Sequence, residues 1–269
     1  MTRFFLSLLA CALLLAIALP QAVAQRRAAQ PGVPDALNVP DAVEQLFAMA
    51  NQSRAQAGAR PLHMDQALSA AALAHCQRMA AAHSISHRYP DEADLDERTA
   101  QAGAHFSLIE ENVAAGPTAS AIHSGWMHST GHRLNLLNPA VDHVGIAVVE
   151  SDGMLYAVAD YEHAVAAMEG NEADDKIASL LEHLGVKTNT ATTAARAACR
   201  SDHGIPVQPE GAAGATFVMR WQTPDLSQLP QPLRQKIAQS RYRHADVASC
   251  PAQNDEGGFT VYRLAVLLY

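Results

Sequence analysis

Two apolar, β-branched runs, His143–Glu150 and Met154–Tyr161, are separated only by Ser151-Asp152-Gly153. An Asp-Gly pair tolerates the positive φ of a tight turn, so these runs predict an antiparallel hairpin. Helical patterns stand on both sides of it. Asp41 can cap a helix with Val43, Leu46, Phe47 and Ala50 on one face, stopping near Gly58. After Pro61 and Asp65, a second helix from about Ala67 to Ala82 turns Leu68, Ala71, Ala72 and Met79 inward. A short helix over Asp94–Ala102 ends at Gly103, and another runs from Ala119 to Ser129, opened by Pro117-Thr118 and closed by Gly131. Phe106–Ala115 reads as either strand or loop. Helices before and after a strand pair imply an α/β chain with a layered αβα arrangement.

The texture changes beyond Glu162. Asp174–His183 predicts a helix with Ile177, Leu180, Leu181 and Leu184 on one face, and Thr192–Arg200 a second. Gly211–Gly214 loosens the chain before a strand at Ala215–Trp221. A short helix, Leu233–Gln239, follows the Pro224–Pro232 segment, and Phe259–Tyr269 alternates as a strand. Strand, polar turn with glycine, strand describes both Val144–Asp160 and Val247–Leu267. The tail is therefore expected to extend the sheet or pack against it.

The amino terminus sets the compartment. Arg3, an apolar run from Phe4 to Leu19, Pro20 and then Ala22-Val23-Ala24 have the layout of a secretory signal peptide cleaved between Ala24 and Gln25. Residues 25–40 read as a disordered linker, and no later segment is apolar enough to span a bilayer. The expected mature protein is extracellular or periplasmic, with about 245 residues for one large domain or a domain plus an appendage. Net charge is −8 and no Lys/Arg cluster follows the leader, which argues against nucleic acid as a partner. In an oxidising compartment Cys199 and Cys250 could pair, while Cys76, in an alanine-rich helical run, reads as a buried small hydrophobe.

Nine of the thirteen histidines fall between His63 and His143. Imidazole can ligate a metal or shuttle protons near neutral pH. Neither an HExxH helix nor a CxxC pair is present, which removes the common zinc-peptidase and structural-zinc spacings. What remains is a dispersed set of His87, Glu111, His128 and His132. Three such ligands suit zinc or a similar divalent ion and leave a position open for water or substrate.

Several segments, in order, resemble the CAP/SCP superfamily of cysteine-rich secretory proteins, antigen 5 and pathogenesis-related proteins, especially its bacterial branch. They are Asn51-Gln52-Ser53-Arg54 with Gly58 and Pro61-Leu62, Ala71-Ala72-Leu73-Ala74-His75, Ser86-His87-Arg88, then Arg98 and Gly103, and Glu111-Asn112-Val113-Ala114 with Gly116. The most specific stretch is Trp126-Met127-His128-Ser129, Gly131-His132-Arg133 and Asn135-Leu136-Leu137, followed by Val144-Gly145-Ile146 and the hairpin. The likeness covers about residues 41–163, leaving 164–269 as a C-terminal α+β extension.

The resemblance implies a three-layer αβα sandwich with a cleft that gathers two histidines and two acids. By motif position His87, Glu111 and His132 match three of the four. The fourth falls on Ser129, where many eukaryotic relatives carry glutamate, so a neutral hydroxyl replaces an anionic ligand. His128, four residues before His132, faces the same way only if its helix persists past Gly131. The candidate metal ligands are thus His87, Glu111 and His132, with Asn112, His128 and Ser129 as further cleft residues. Plainer roles stand beside these: Glu111 and Asn112 holding backbone, Trp126 in the core, Arg98 and Arg133 pairing with the acidic stretch Asp91–Glu97.

The function expected is a secreted binding module for a lipid, peptide or cell-envelope ligand, with room for a metal. The alternative is a metal-dependent hydrolase in which Glu111 is general base on a metal-bound water. A third reading is an envelope protein assembled through its tail. Ser129 with His132 has no nameable oxyanion hole or orienting acid, so a serine hydrolase is not expected.

Overall fold

The computed structural model describes residues 39–168, 171–204, 214–240, 242–251 and 258–269. The signal peptide, nearly all of the linker and most of Gly211–Gly214 lie outside the described residues. Helix α1 (Val39–Gln56) buries Ala42, Leu46 and Ala50. It leads to β1 (His63–Met64) and α2 (Gln66–Ala81), whose first turn is capped by Asp65 accepting the Leu68 N–H at 2.7 Å. Helix α3 (Leu95–Gln101), strand β2 (Phe106–Gly116) and helices α4 (Ala119–His128) and α5 (Thr130–Leu137) follow. The hairpin is β3 (His143–Ser151) and β4 (Met154–Ala164), turned at Asp152 (φ 51°) and Gly153 (φ 74°).

Sheet order is β1-β3-β4-β2, with β1 parallel to β3 and the other pairs antiparallel. Period-two alternation sends β-strand side chains to opposite faces. Val144, Ile146, Val148, Leu155, Ala157, Ala159 and Tyr161 pack with α1, α4 and α5 on one face. Ala147, Tyr156, Val158 and Val113 meet Ala72, Cys76, Met79 and Ala80 of α2 on the other. Helices thus cover both faces of a mixed α/β sheet. Helix α2 crosses β3 at Gly145, where a Cβ would lie 2.2 Å from the Leu68 carbonyl carbon, so only glycine allows the approach.

The C-terminal half repeats this connectivity. Its elements are α6 (Glu172–Glu182), β5 (Lys187–Thr190), α7 (Thr193–Arg200), β6 (Phe217–Thr223), α8 (Gln231–Gln239), β7 (His244–Cys250) and β8 (Tyr262–Leu268). The sheet order is β5-β7-β8-β6, again with one parallel pair, β5·β7, and then two antiparallel pairs. Element by element, α6-β5-α7-β6-α8-β7-β8 follows α1-β1-α2-β2-α4/α5-β3-β4. Among the described residues α3 alone has no counterpart. Ala245, Val247, Leu264, Val266 and Leu268 face α6 and α8, while Ala248, Ala265 and Leu267 face α7. Cys199 and Cys250 are disulfide-bonded, tying α7 to β7, and Cys76 is a buried free thiol. The tail also docks on the first sheet: the Thr260 N–H donates to the Phe106 carbonyl at 2.8 Å, and the Phe106 and Phe259 rings meet edge to face.

Three details depart from the sequence expectation. Gly131 does not close a helix but sits in the first turn of α5, because the break falls at Ser129, in extended conformation (φ −90°, ψ 125°). Strand β1 has only two residues and β5, Lys-Thr-Asn-Thr, is polar throughout, so neither shows an apolar alternation and their parallel partners β3 and β7 define them. Leu184 lies exposed beyond the end of α6 instead of continuing its apolar face. No helix among the described residues is long and apolar enough to cross a membrane.

Candidate functional site

The candidate cleft lies where edge strand β2 meets α5 and the loop between α2 and α3. That loop is pinned from inside: the buried His75 ring is 2.7 Å from the Ser86 carbonyl through Nε2 and 2.7 Å from Glu92 through Nδ1. Glu92 also accepts the Tyr89 N–H at 3.1 Å. The pinned loop presents His87, whose Nδ1 is 2.7 Å from Glu111 Oε1. The other Glu111 oxygen is bonded to Arg98 Nη2, and Arg98 Nη1 donates to the His87 carbonyl at 3.3 Å. Arg98 of α3 therefore braces both His87 and Glu111.

Beneath Glu111 lies Asp160, its cross-strand partner on β4. Asp160 is fully buried, 3.9 Å from Arg98 Nη2, and neither of its oxygens has a hydrogen-bond partner among the described residues. Burial first, and the Glu111 charge second, push its carboxyl well above the usual carboxylate range. A protonated Asp160 relieves the repulsion between the two acids, so Arg98 faces mainly Glu111.

Helix α5 brings His132 to the cleft, its ring centroid 6.4 Å from that of His87. Two asparagines fasten the helix to β2. Asn112 donates to the His132 carbonyl at 2.9 Å, and Asn135 donates to the Glu111 carbonyl at 3.0 Å and to Asn112 Oδ1 at 3.1 Å. Upstream, Arg54 donates to the carbonyls of Arg60, Leu136, Asn138 and Val141, locking the far end of α5. Donating to Glu111 raises the His87 imidazole above its ordinary value against the opposing effect of burial. His132 is held below its ordinary value by burial and then by His87. One ring is thus disposed to carry charge and the other to stay neutral.

The structure brings His87, Glu111 and His132 into one neighbourhood and sorts the other candidates differently. Asn112 is fully buried and positions His132 instead of lining the cleft. His128 is exposed at the end of α4, its Nδ1 bonded to the Ser124 carbonyl, and the Ser129 break separates it from His132. Ser129 occupies the N-cap position of α5 without a side-chain capping bond. Arg98 does not pair with the acidic stretch; Arg78 and Arg88 do, with Asp91 and Asp94. Arg133 donates to the Met127 carbonyl. Trp126 is core, with Nε1 on the Val113 carbonyl. Sequence reasoning missed Asp160, although an acid inside Ala157-Val158-Ala159-Asp160-Tyr161 was a visible signal of a buried charge.

A divalent metal at this cleft requires at least three protein donors aimed at one point. Among the described residues no group of three His, Cys, Asp or Glu side chains is so arranged. Glu111 is engaged by His87 and Arg98 through its two oxygens, which leaves two imidazoles. As arranged, these residues do not fit a resident three-ligand metal.

A buried acid–arginine platform carrying paired histidines thus stands at the edge of a mixed sheet packed against helices, in an α/β domain. Residues 47–161 match the model of the cysteine-rich secretory protein (CAP) family, and this segment is similar to a CAP domain. It is 34% identical over 104 residues to the uncharacterized protein YkwD of Bacillus subtilis, covering 38% of this chain and 40% of that protein. It is 30% identical over 109 residues to the uncharacterized membrane protein YlbC of the same organism, covering 39% and 31%. An extracellular protein containing an SCP domain from Bacillus anthracis is similar in structure at 27% identity, with a TM-score of 0.44, over 49% of this chain and 44% of that one. The chain thus spans less than half the length of these relatives, and the matches concern the CAP segment.

Proposed function

We propose that this is an exported binding protein whose CAP domain takes an oxyanion-bearing ligand, a lipid headgroup or peptide carboxylate of the cell envelope, at His87 and His132. The observation that carries the reading is the paired imidazoles: a charge-disposed His87 held on Glu111, with the neutral His132 ring 6.4 Å away. Together they offer N–H donors at an open edge, over a platform whose rotamers are fixed by Arg98 and Asn112. Export is supported by the leader pattern and by the Cys199–Cys250 disulfide, which suits an oxidising compartment. The hydrolase alternative needs Glu111 to take a proton from water, and both of its oxygens are already engaged.

Calorimetric titration of the mature protein with dihexanoyl phosphatidylglycerol and with acetyl-dialanine tests the proposal. The expected result is saturable binding of at least one, lost in the His87→Ala/His132→Ala double variant. Binding should weaken as pH rises through the His87 titration, because its charged form is present below that point. Zinc-dependent turnover of an ester or peptide that vanishes in the same double variant would overturn it in favour of the enzyme.

A further inference from the structure

The C-terminal repeat has its own edge strand and its own helix in the positions that frame the His87/His132 cleft in the CAP domain. Where α5 meets edge strand β2 in the first sheet, α8 lies beside edge strand β6 in the second, with Lys236 over the Phe217 ring. A cavity of about 430 Å³ opens there, within the usual range for a small-molecule site. Its lining contains no histidine and no acid pair. It is built from Trp221 and Gln222 of β6, Asp225 and Gln228 of the connecting loop, and Gln231 and Arg234 of α8.

We propose that this cavity binds a neutral carbohydrate, with Trp221 as the wall against a sugar ring and the carboxamides, Asp225 and Arg234 as partners of its hydroxyls. Four observations lead to this ligand class. Trp126 is only 2% exposed in the core, whereas Trp221 packs against the C-terminal core while remaining half-buried at the cavity wall. An indole face offers a flat apolar surface that the C–H face of a pyranose can cover while its hydroxyls stay polar. Gln222, Gln231 and Arg234 have no side-chain hydrogen bond or ion pair among the described residues, so their donors and acceptors are free for a ligand. Planar amide, carboxylate and guanidinium groups can each meet two adjacent hydroxyls at once. Asp225 accepts the Ser227 N–H at 2.7 Å, and the Ser227 hydroxyl first and this N–H second hold its carboxyl below its ordinary value. Its negative charge and the positive charge of Arg234 balance, which favours an uncharged polyol over an anion or a cation. A purely apolar ligand would bury the free amides without partners, at a cost of about 1–3 kcal/mol for each unsatisfied group.

The site is separate from the histidine cleft, so its failure would leave the proposed CAP-domain function standing. The test is saturation-transfer NMR of the full mature chain with chitotriose, maltotriose and, as a competing class, the peptide acetyl-trialanine amide. The expected result is saturable transfer to one or both sugars and none to the peptide. The Gln231→Ala/Arg234→Ala variant changes only exposed α8 side chains and should fold as wild type by circular dichroism. It should weaken sugar binding about tenfold, matching the loss of one or two hydrogen bonds. Trp221→Phe should weaken binding, and His87→Ala should leave it unchanged. Absence of saturable sugar binding, preference for the peptide, or unchanged affinity in the α8 variant would each overturn the proposal.

Discussion

Glu162 gives the sharpest test of the electrostatics built into this fold. It sits on β4 with 2% of its surface exposed, and one carboxylate oxygen has no hydrogen-bond partner among the described residues. Burial pushes its carboxyl up from 4.5 to about 8, assisted by the nearby charges of Asp65 and Asp142. Below pH 4.5 both folded and unfolded chains carry the proton, and Glu162 has no influence on the pH dependence. Between 4.5 and 8 the unfolded chain releases it while the folded protein retains it, so stability falls as pH rises. Above 8 both are ionised and the penalty is complete. At about 1.4 kcal/mol per pH unit, the span from 4.5 to about 8 corresponds to at most about 5 kcal/mol. Glu162→Gln cannot ionise and lacks this decline. Urea unfolding of both proteins, followed by circular dichroism from about pH 5 to about pH 9, reads the difference, since histidine titrations are common to the two. The variant should gain on wild type by several kcal/mol toward alkaline pH. Parallel stability profiles would refute the reasoning and place a solvent path or an unrecognised donor at the carboxyl.

Gly145→Ala should cost about 3 kcal/mol or more in urea unfolding, because its Cβ meets helix backbone that no rotamer change can move. Arg98→Met keeps the packing volume but strands Glu111 beside Asp160. It should destabilise by about 3–5 kcal/mol and raise the His87 titration point seen by NMR, because the Arg98 charge that opposes protonation of His87 is gone while Glu111 remains. The Cys199→Ala/Cys250→Ala double variant opens a link across 51 residues and should lower unfolding stability by about 2–4 kcal/mol. Truncation after residue 165 strips Phe259 from the fully buried Phe106. The remaining CAP domain should melt below the full chain, losing about 0.5–1.5 kcal/mol from that aromatic pair in addition to the apolar area exposed.

Much of the frame is legible in the residues because it rests on local periodicity. The hairpin at Asp152-Gly153, the inward faces of α1 and α2, and the α6, α7, α8 and β8 segments all follow from short-range spacing and turn chemistry. Trp126 and Cys76 lie buried as their apolar surroundings imply. The pairing of Cys199 with Cys250 also accords with the sequence. The sequence alone indicated that His87, Glu111 and His132 belong together only through motif order, since nothing in their spacing requires them to meet.

The division between local and long-range information accounts for the rest. Helix periods, glycine turns and the strand–turn–strand pattern within each of Val144–Asp160 and Val247–Leu267 are written among near neighbours, and the chain alone determined them. Whether Ser129 ended one helix and began another, whether Arg98 reached Glu111 instead of its acidic neighbours, and whether Asp160 lay in the dark beneath it were decided only when distant segments packed. The same holds for the strand order that makes the tail a second copy of the CAP connectivity. A buried charge takes whatever partner the fold puts within a few ångströms, and that partner is set by strand register and helix crossing, not by sequence separation.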